Sequence, residues 1–128
     1  MKNHELNKAN IKTTMLIFGG TGDLTHRKLI PALYQLEING YLPEDFSVIS
    51  IGRRDKTSED YRSEIMESTR KFSSRNFEEE SYEKFSRKIS YFQLRFEDSE
   101  DYIALKDLLV KNTDDSGKES SYLFYLAV

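Results

Sequence analysis

A short glycine-rich segment, Gly19–Leu24, contains the residues of this chain whose types and spacing point most directly to chemistry. An apolar run, Thr14–Phe18, precedes it, and a basic, helix-forming run that begins at His26 follows it. Glycines at positions 19 and 22 let the backbone approach an anion closely, and free N–H groups at a helix start can hold that anion. The pattern predicts a strand, a tight turn and a helix start that together bind a pyrophosphate.

The basic residues after the glycines favour this interpretation. His26, Arg27 and Lys28 fall in the first turns of the predicted helix, where positive charge opposes the helix dipole. A nearby anion explains them, and an exposed basic patch is the alternative. A triphosphate-binding P-loop is not supported, because it needs a longer glycine spacing followed by Lys and then Ser or Thr. Asp23 is instead predicted to cap the helix with its carboxylate.

The end of the second predicted strand carries another candidate contact. The apolar run Ile49–Ile51 leads into Gly52, Arg53 and Arg54. An acidic residue near this position binds the ribose hydroxyls in NAD-selective sites, whereas an arginine accommodates a 2′-phosphate. Arg53 is therefore predicted to pair with the 2′-phosphate of NADP, with an ordinary strand-end arginine as the alternative. For Arg54 that alternative is favoured.

Short apolar segments and helical patterns alternate along the chain, as the positioning elements of such a site require. Strands are predicted at Thr14–Phe18, Phe46–Ile51, Ile89–Leu94 and Tyr122–Ala127. Helices are predicted at Leu24–Asn39, Ser58–Phe72, Glu78–Arg87 and Ser99–Lys111, and a polar loop at Asn112–Ser121. This order predicts an α/β fold, a Rossmann-like doubly wound parallel sheet of about four strands with helices on both faces.

Three residues set the expected ends and irregularities of the helices. Pro31 removes a backbone hydrogen bond, so a kink should place it early in the main part of the first helix. Gly40 is a suitable residue to end that helix. Ser99 is predicted to cap the last helix, with acidic residues in its first turn.

The composition limits the classes of protein that this chain can represent. Its 128 residues indicate one dinucleotide-binding domain, residues 13–128, after a flexible lead-in, residues 1–12. The net charge of -3 argues against nucleic acid as a partner, and the lack of cysteine excludes a thiolate metal site. His4 and His26 are too few for a zinc cluster. With no signal peptide pattern and no run of roughly 18 apolar residues, we expect a soluble, cytoplasmic protein without membrane contact.

The glycine segment and several later segments closely resemble glucose-6-phosphate dehydrogenases. The matching segments are Phe18–Tyr34, Asn39–Pro43, Ile51–Arg53 and Tyr122–Ala127, within a resemblance that runs from Thr14 to Val128. The resemblance implies the NADP-binding portion of an oxidoreductase of the pentose phosphate pathway. That family oxidises glucose 6-phosphate at C1 and transfers a hydride to NADP, giving 6-phosphogluconolactone and NADPH.

The resemblance also implies which residues contact the cofactor. The expected site comprises Gly19, Gly20, Thr21, Gly22, Asp23, Leu24, Thr25, His26 and Arg53. His26 departs from the lysine or arginine often found there, which would weaken one phosphate contact. The segment Leu126–Val128 is expected to pass near the nicotinamide.

No catalytic residue and no metal ligand is expected in this chain. The family's catalytic histidine lies in an Arg-Ile-Asp-His-Tyr-Leu-Gly-Lys motif and its substrate lysine in a Glu-Lys-Pro motif, and neither occurs here. The resemblance therefore implies cofactor binding without catalysis by this chain alone, with glucose 6-phosphate as a partner of the full-length enzyme.

Two other functions remain as alternatives at this point. A non-catalytic nucleotide sensor or interaction module would use the same glycine turn without substrate residues. A short-chain reductase is disfavoured because such proteins usually carry another glycine where Thr25 stands. A truncated sheet would also expose an edge, so self-association through that edge is expected.

Overall fold

The computed structural model describes residues 11–73, 77–116 and 119–127. The strands are β1 (Ile11–Phe18), β2 (Phe46–Gly52), β3 (Ile89–Gln93) and β4 (Glu119–Leu126). A π-helical turn (Thr25–Leu29) leads into α1 (Ile30–Ile38), and the other helices are α2 (Ser58–Phe72), α3 (Glu79–Ser86) and α4 (Ser99–Ser116). Most of the predicted lead-in lies outside the described residues, but Ile11 and Lys12 belong to β1 rather than to a lead-in.

The four strands form one parallel sheet in the order β3-β2-β1-β4. At the centre, Leu16 of β1 lies opposite Ile49 of β2 and Phe124 of β4. The chain adds strands on one side of β1 and then crosses to the other side. This reversal leaves a crevice at the carboxyl ends of the strands, where open α/β sheets bind their ligands.

Helices cover both faces of the sheet, which confirms the predicted Rossmann-like doubly wound fold. One face packs against α1, α2 and α3, with Tyr34, Tyr61 and Phe85 among its largest buried side chains. The other face packs against α4, where Leu105 joins a cluster that includes Leu16. Burial of each such side chain stabilises the fold by about 1.5–3 kcal/mol.

The first helix contains the predicted irregularity before Pro31. The Ile30 N–H donates to the Thr25 carbonyl, five residues earlier, and Pro31 follows at the start of α1. The helix ends as predicted at Gly40, whose φ is +75°. Its N–H donates to Glu37 at 3.1 Å, and the Tyr41 N–H donates to Leu36 at 2.9 Å, which satisfies two terminal carbonyls.

The last helix begins at Ser99 as predicted but differs from its prediction in its end and in its capping residue. The predicted loop Asn112–Ser121 is wrong in most of its length, because α4 continues to Ser116 and β4 begins at Glu119. Polar composition alone does not stop a helix. The N-terminal cap of α4 is Asp98 rather than Ser99, because the Asp98 carboxylate accepts a hydrogen bond from the Glu100 N–H at 2.9 Å. No described helix is long and apolar enough to cross a bilayer.

Candidate dinucleotide-binding site

The glycine loop after β1 is anchored on the end of β2. The N–H groups of Gly19 and Gly20 both donate to the Ile51 carbonyl, at 3.0 and 2.9 Å. Gly19 has a φ of +96°, a conformation that strongly favours glycine. A Cβ at Gly20 would lie 2.7 Å from the Ser50 Cβ, so only glycine lets the loop pack this closely.

The helical segment begins at the last glycine of the loop. The Gly22 carbonyl accepts from the His26 N–H at 3.2 Å, and the Gly22 N–H donates back to Gly19 at 3.0 Å. In the loop and the first turn of the helix, four backbone N–H groups have no acceptor among the described residues. They are those of Thr21, Asp23, Leu24 and Thr25. Such groups at a helix start, together with the positive end of its dipole, suit an anion.

Two hydroxyl groups in the protein interior donate hydrogen bonds to carbonyls of the loop. Thr25 Oγ1 donates to the Gly19 carbonyl at 2.8 Å, and the Tyr61 hydroxyl donates to the Gly20 carbonyl at 2.7 Å. Both side chains are fully buried. No sequence pattern indicates the contact made by Tyr61, because 41 residues separate it from Gly20 and its spacing on α2 is that of a core residue.

His26 lies against α2 rather than projecting into the crevice. Its ring meets Tyr61 edge-on with 6.2 Å between centroids, and its Nδ1 lies 3.5 Å from Ser68 Oγ. Its Nε2 is buried without a hydrogen-bond partner in the described part of the chain. Burial lowers the pKa of His26, so the imidazole is neutral near pH 7 and adds no positive charge to the site.

The predicted capping role of Asp23 is wrong. Gly22 already supplies the first helical carbonyl, so Asp23 occupies the first helical residue and its side chain points outward. Its carboxylate accepts from the Arg27 guanidinium at 3.3 Å, one turn further on. Both groups are exposed, and such a pair contributes little to stability.

Arg53 projects from the carboxyl end of β2 and is mostly exposed. Its Nη2 lies 3.5 Å from Glu97 Oε1, and its carbonyl accepts from Gln93 Nε2 at 3.0 Å. The preceding residue touches the glycine loop, since a Cβ at Gly52 would lie 3.2 Å from Thr21 Cγ2. An exposed ion pair of this length is weak, so a phosphate can replace Glu97 as the partner of Arg53.

The structure therefore brings the predicted site residues to one corner of the sheet. Residues 19 to 26 and Arg53 follow two adjacent parallel strands at the same edge. A cleft of about 470 Å³ adjoins this corner and is lined by Asp23, Arg27 and residues of α2. No group of three or more acidic or histidine side chains within the described ranges is arranged to hold a metal ion.

Comparison with known proteins shows which family this chain belongs to. The family model described as "Glucose-6-phosphate dehydrogenase, NAD binding domain" matches residues 16–128. The glucose-6-phosphate 1-dehydrogenase of Chlamydia muridarum is 39% identical over 114 residues, which cover 88% of this chain and 22% of that protein. The enzyme of Chlamydia pneumoniae is 36% identical over 113 residues, with the same coverage. The chain thus spans about a fifth of the length of these relatives.

Solved structures give the same answer. A glucose-6-phosphate dehydrogenase in complex with its substrate glucose-6-phosphate matches with a TM-score of 0.82 and 28% identity, over 93% of this chain and 25% of that chain. The structure of the Mycobacterium avium enzyme, with 24% identity and a TM-score of 0.74, shares the fold over 91% of this chain and 24% of that chain.

These matches rule against the short-chain reductase alternative. Short-chain reductases use a Tyr-x-x-x-Lys pair, and Tyr102 and Lys106 have that spacing, but the family match covers both residues as part of a different domain. The chain belongs to the glucose-6-phosphate dehydrogenase family and corresponds to its NAD binding domain.

Proposed function

We propose that this chain binds NADP(H) through the glycine loop and Arg53, as the cofactor-binding domain of a glucose-6-phosphate 1-dehydrogenase. The observation that carries the proposal is a row of backbone N–H groups, at Thr21, Asp23, Leu24 and Thr25, that find no acceptor among the described residues, together with an arginine at the end of the adjacent strand. The domain is proposed to begin with β1 at Ile11 and to extend to residue 128. The comparison with relatives supports the class of cofactor, and the position of Arg53 supports NADP over NAD.

The loop fits the diphosphate of such a cofactor. The glycines leave no side chain between the loop backbone and an approaching ligand, and the carbonyls of Gly19 and Gly20 are already bonded from below. The loop's unbonded N–H groups are thus left for phosphate oxygens. Asp23 does not obstruct this role, because its carboxylate is turned toward Arg27.

Arg53 is the proposed selector for the 2′-phosphate. Its guanidinium can form paired hydrogen bonds with a phosphate, and its carbonyl is fixed by Gln93. Glu97 holds the side chain on the side of β3 and would be displaced when the phosphate binds.

When bound, the nicotinamide would accept the hydride from C1 of glucose 6-phosphate. The proposed part of this chain in that reaction is to bind and orient the cofactor. Ala127 follows β4 beside the loop, with its N–H donating to the Phe18 carbonyl at 2.8 Å, and Val128 lies outside the described residues. The enclosed ring of His26 does not suit it to accept a proton from a sugar hydroxyl, so we propose that the chain does not catalyse the reaction by itself.

Calorimetric titration with NADP and NAD tests the proposal. The wild-type chain should bind NADP more tightly than NAD. Arg53→Ala should weaken NADP binding by about 1.5–3 kcal/mol and leave NAD binding nearly unchanged, because only NADP carries the phosphate. Arg54→Ala is the matched control, because it removes the neighbouring guanidinium. Equal affinity of the wild type for both cofactors, or an unchanged preference in Arg53→Ala, would contradict the proposal.

A further inference from the structure

We propose that Tyr61 and Tyr91 are positioning residues that fix the two halves of the cofactor site from beneath, one for the diphosphate and one for the 2′-phosphate. The inference rests on the proposed NADP site and adds to it the side chains that hold its geometry. Neither tyrosine is among the predicted cofactor contacts, and both are buried, with exposures of 0% and 9%.

Tyr61 sets the direction of one peptide group in the glycine loop. Its hydroxyl donates to the Gly20 carbonyl at 2.7 Å, from inside the protein. In a planar trans peptide the carbonyl and the next N–H point in opposite directions. Because Tyr61 holds the Gly20 carbonyl inward, the Thr21 N–H is turned outward, where it finds no acceptor in the described chain.

Tyr91 acts in the same way on the other half of the site. Its hydroxyl passes beneath Gly52, where an added Cβ would lie 2.7 Å from it, and donates to the Arg54 carbonyl at 2.7 Å. The adjacent carbonyl of Arg53 accepts from Gln93, also on β3. Side chains of β3 therefore hold the backbone on which the Arg53 side chain is mounted.

The two tyrosines form one unit. Their rings are stacked, with centroids 5.2 Å apart and planes inclined by 29°. Tyr61 is on α2 and Tyr91 on β3, so the pair connects a helix, a strand and both parts of the site. Because the rings pack against each other, a shift of either ring would move the hydrogen bonds in both halves of the site.

Removing one hydroxyl at a time separates the two roles. Tyr61→Phe should weaken NADP and NAD binding alike, by about three- to tenfold, because the Thr21 N–H loses its fixed direction. Tyr91→Phe should weaken NADP binding by a similar factor and NAD binding by less, because it loosens Arg53. The measurements are calorimetric titrations of the 128-residue chain with NADP and with NAD.

Tyr82→Phe is the matched control. Tyr82 is also buried, and its hydroxyl donates to a backbone carbonyl, that of Arg62, at 2.8 Å, but it contacts neither half of the site. The Tyr82→Phe chain should lose about as much thermal stability as the other two variants and keep its affinities for NADP and NAD within about twofold of the wild type. If all three variants lost affinity alike, the tyrosines would be merely structural and the inference would be overturned.

The backbone amide signals in the NMR spectrum give a second readout that needs no cofactor. In the free protein, Tyr61→Phe should shift and broaden the Thr21 amide, and Tyr91→Phe should shift the Asp55 amide instead. A wild-type chain that binds no NADP would overturn the proposed function and this inference together. A wild type that binds NADP, with Tyr61→Phe within twofold on both nucleotides and an unmoved Thr21 amide, would overturn this inference alone.

Discussion

The glycine corner after β1 and the neighbouring outer strand β4 differ in how far protein groups occupy their polar and apolar surfaces. At the corner, the carbonyls of Gly19, Gly20 and Gly22 all have protein donors. On β4, the side chains of Leu123, Phe124 and Leu126 are 50%, 66% and 70% exposed, and the strand pairs only with β1 in the described structure. The backbone of the corner is thus held by protein groups, whereas β4 presents an apolar surface that nothing covers in the described part of the chain.

The sequence of β4 does little to protect that edge. Its only charged residue is Glu119, at the start of the strand, and it contains no proline. Native edge strands usually carry such residues to block pairing with another chain. The comparison teaches that a domain can have a tightly bonded loop at one corner while the apolar edge of the adjacent strand stays exposed.

The largest expected effect is on the corner, from Gly20→Ala. The added methyl group would lie 2.7 Å from Ser50 Cβ and 3.1 Å from the Ile51 nitrogen. We expect the free energy of unfolding to fall by about 1–3 kcal/mol and NADP binding to be lost, as measured by urea unfolding and calorimetry.

Gly40→Ala is the control for that substitution. A methyl group there meets no atom within 4 Å, so its cost comes from the φ of +75° alone. It should reduce stability without changing NADP affinity, because Gly40 lies at the far end of α1. A Gly20→Ala chain with wild-type stability and affinity would show that the corner is not tightly packed.

The second prediction concerns the β4 edge. The wild-type chain should self-associate as its concentration rises, because an uncharged apolar edge can pair with another copy. Leu126→Lys should shift the chain toward monomer in analytical ultracentrifugation, since a lysine at the edge opposes pairing. Tyr41→Lys, at a residue that is 74% exposed between α1 and β2, is the control and should leave association unchanged. A monodisperse wild-type monomer would contradict the prediction.

The smallest expected effect is the pH dependence caused by His26. Burial lowers its pKa below the ordinary value of 6.5, with Glu64 partly opposing this shift. As the pH falls, the unfolded chain takes up this proton first, so stability should decrease as pH drops below that value. His26→Gln should flatten the pH dependence of the unfolding free energy between about pH 7.5 and about pH 5.5, relative to the wild-type chain. A slope equal to that of the wild type would show that His26 is not the group responsible.

The sheet was predictable from sequence because each strand is marked locally. Short runs rich in Ile, Val, Phe and Tyr predicted all four strands, and glycines with special backbone requirements predicted the turn at Gly19 and the helix end at Gly40. These features depend on neighbouring residues along the chain. The parallel order followed from the alternation of strands and helices.

The errors and omissions concern contacts that local sequence does not specify. Asp23 and Ser99 are both good capping residues, but Gly22 and Asp98 occupy the capping positions in the folded chain. The contacts of Tyr61 and Glu97 with the site were missed, because they join residues from separate elements. Only the packing of α2 and of the segment after β3 brings them to the corner.

The most direct measurement is the amide NMR spectrum of the 128-residue chain during titration with NADP. The account predicts that the largest shifts occur at Thr21, Asp23, Leu24 and Thr25, and that the Arg53 side-chain signal moves with NADP but not with NAD. Shifts confined to residues of α2 and α3, or loop amides that stay unchanged at saturating NADP, would contradict it.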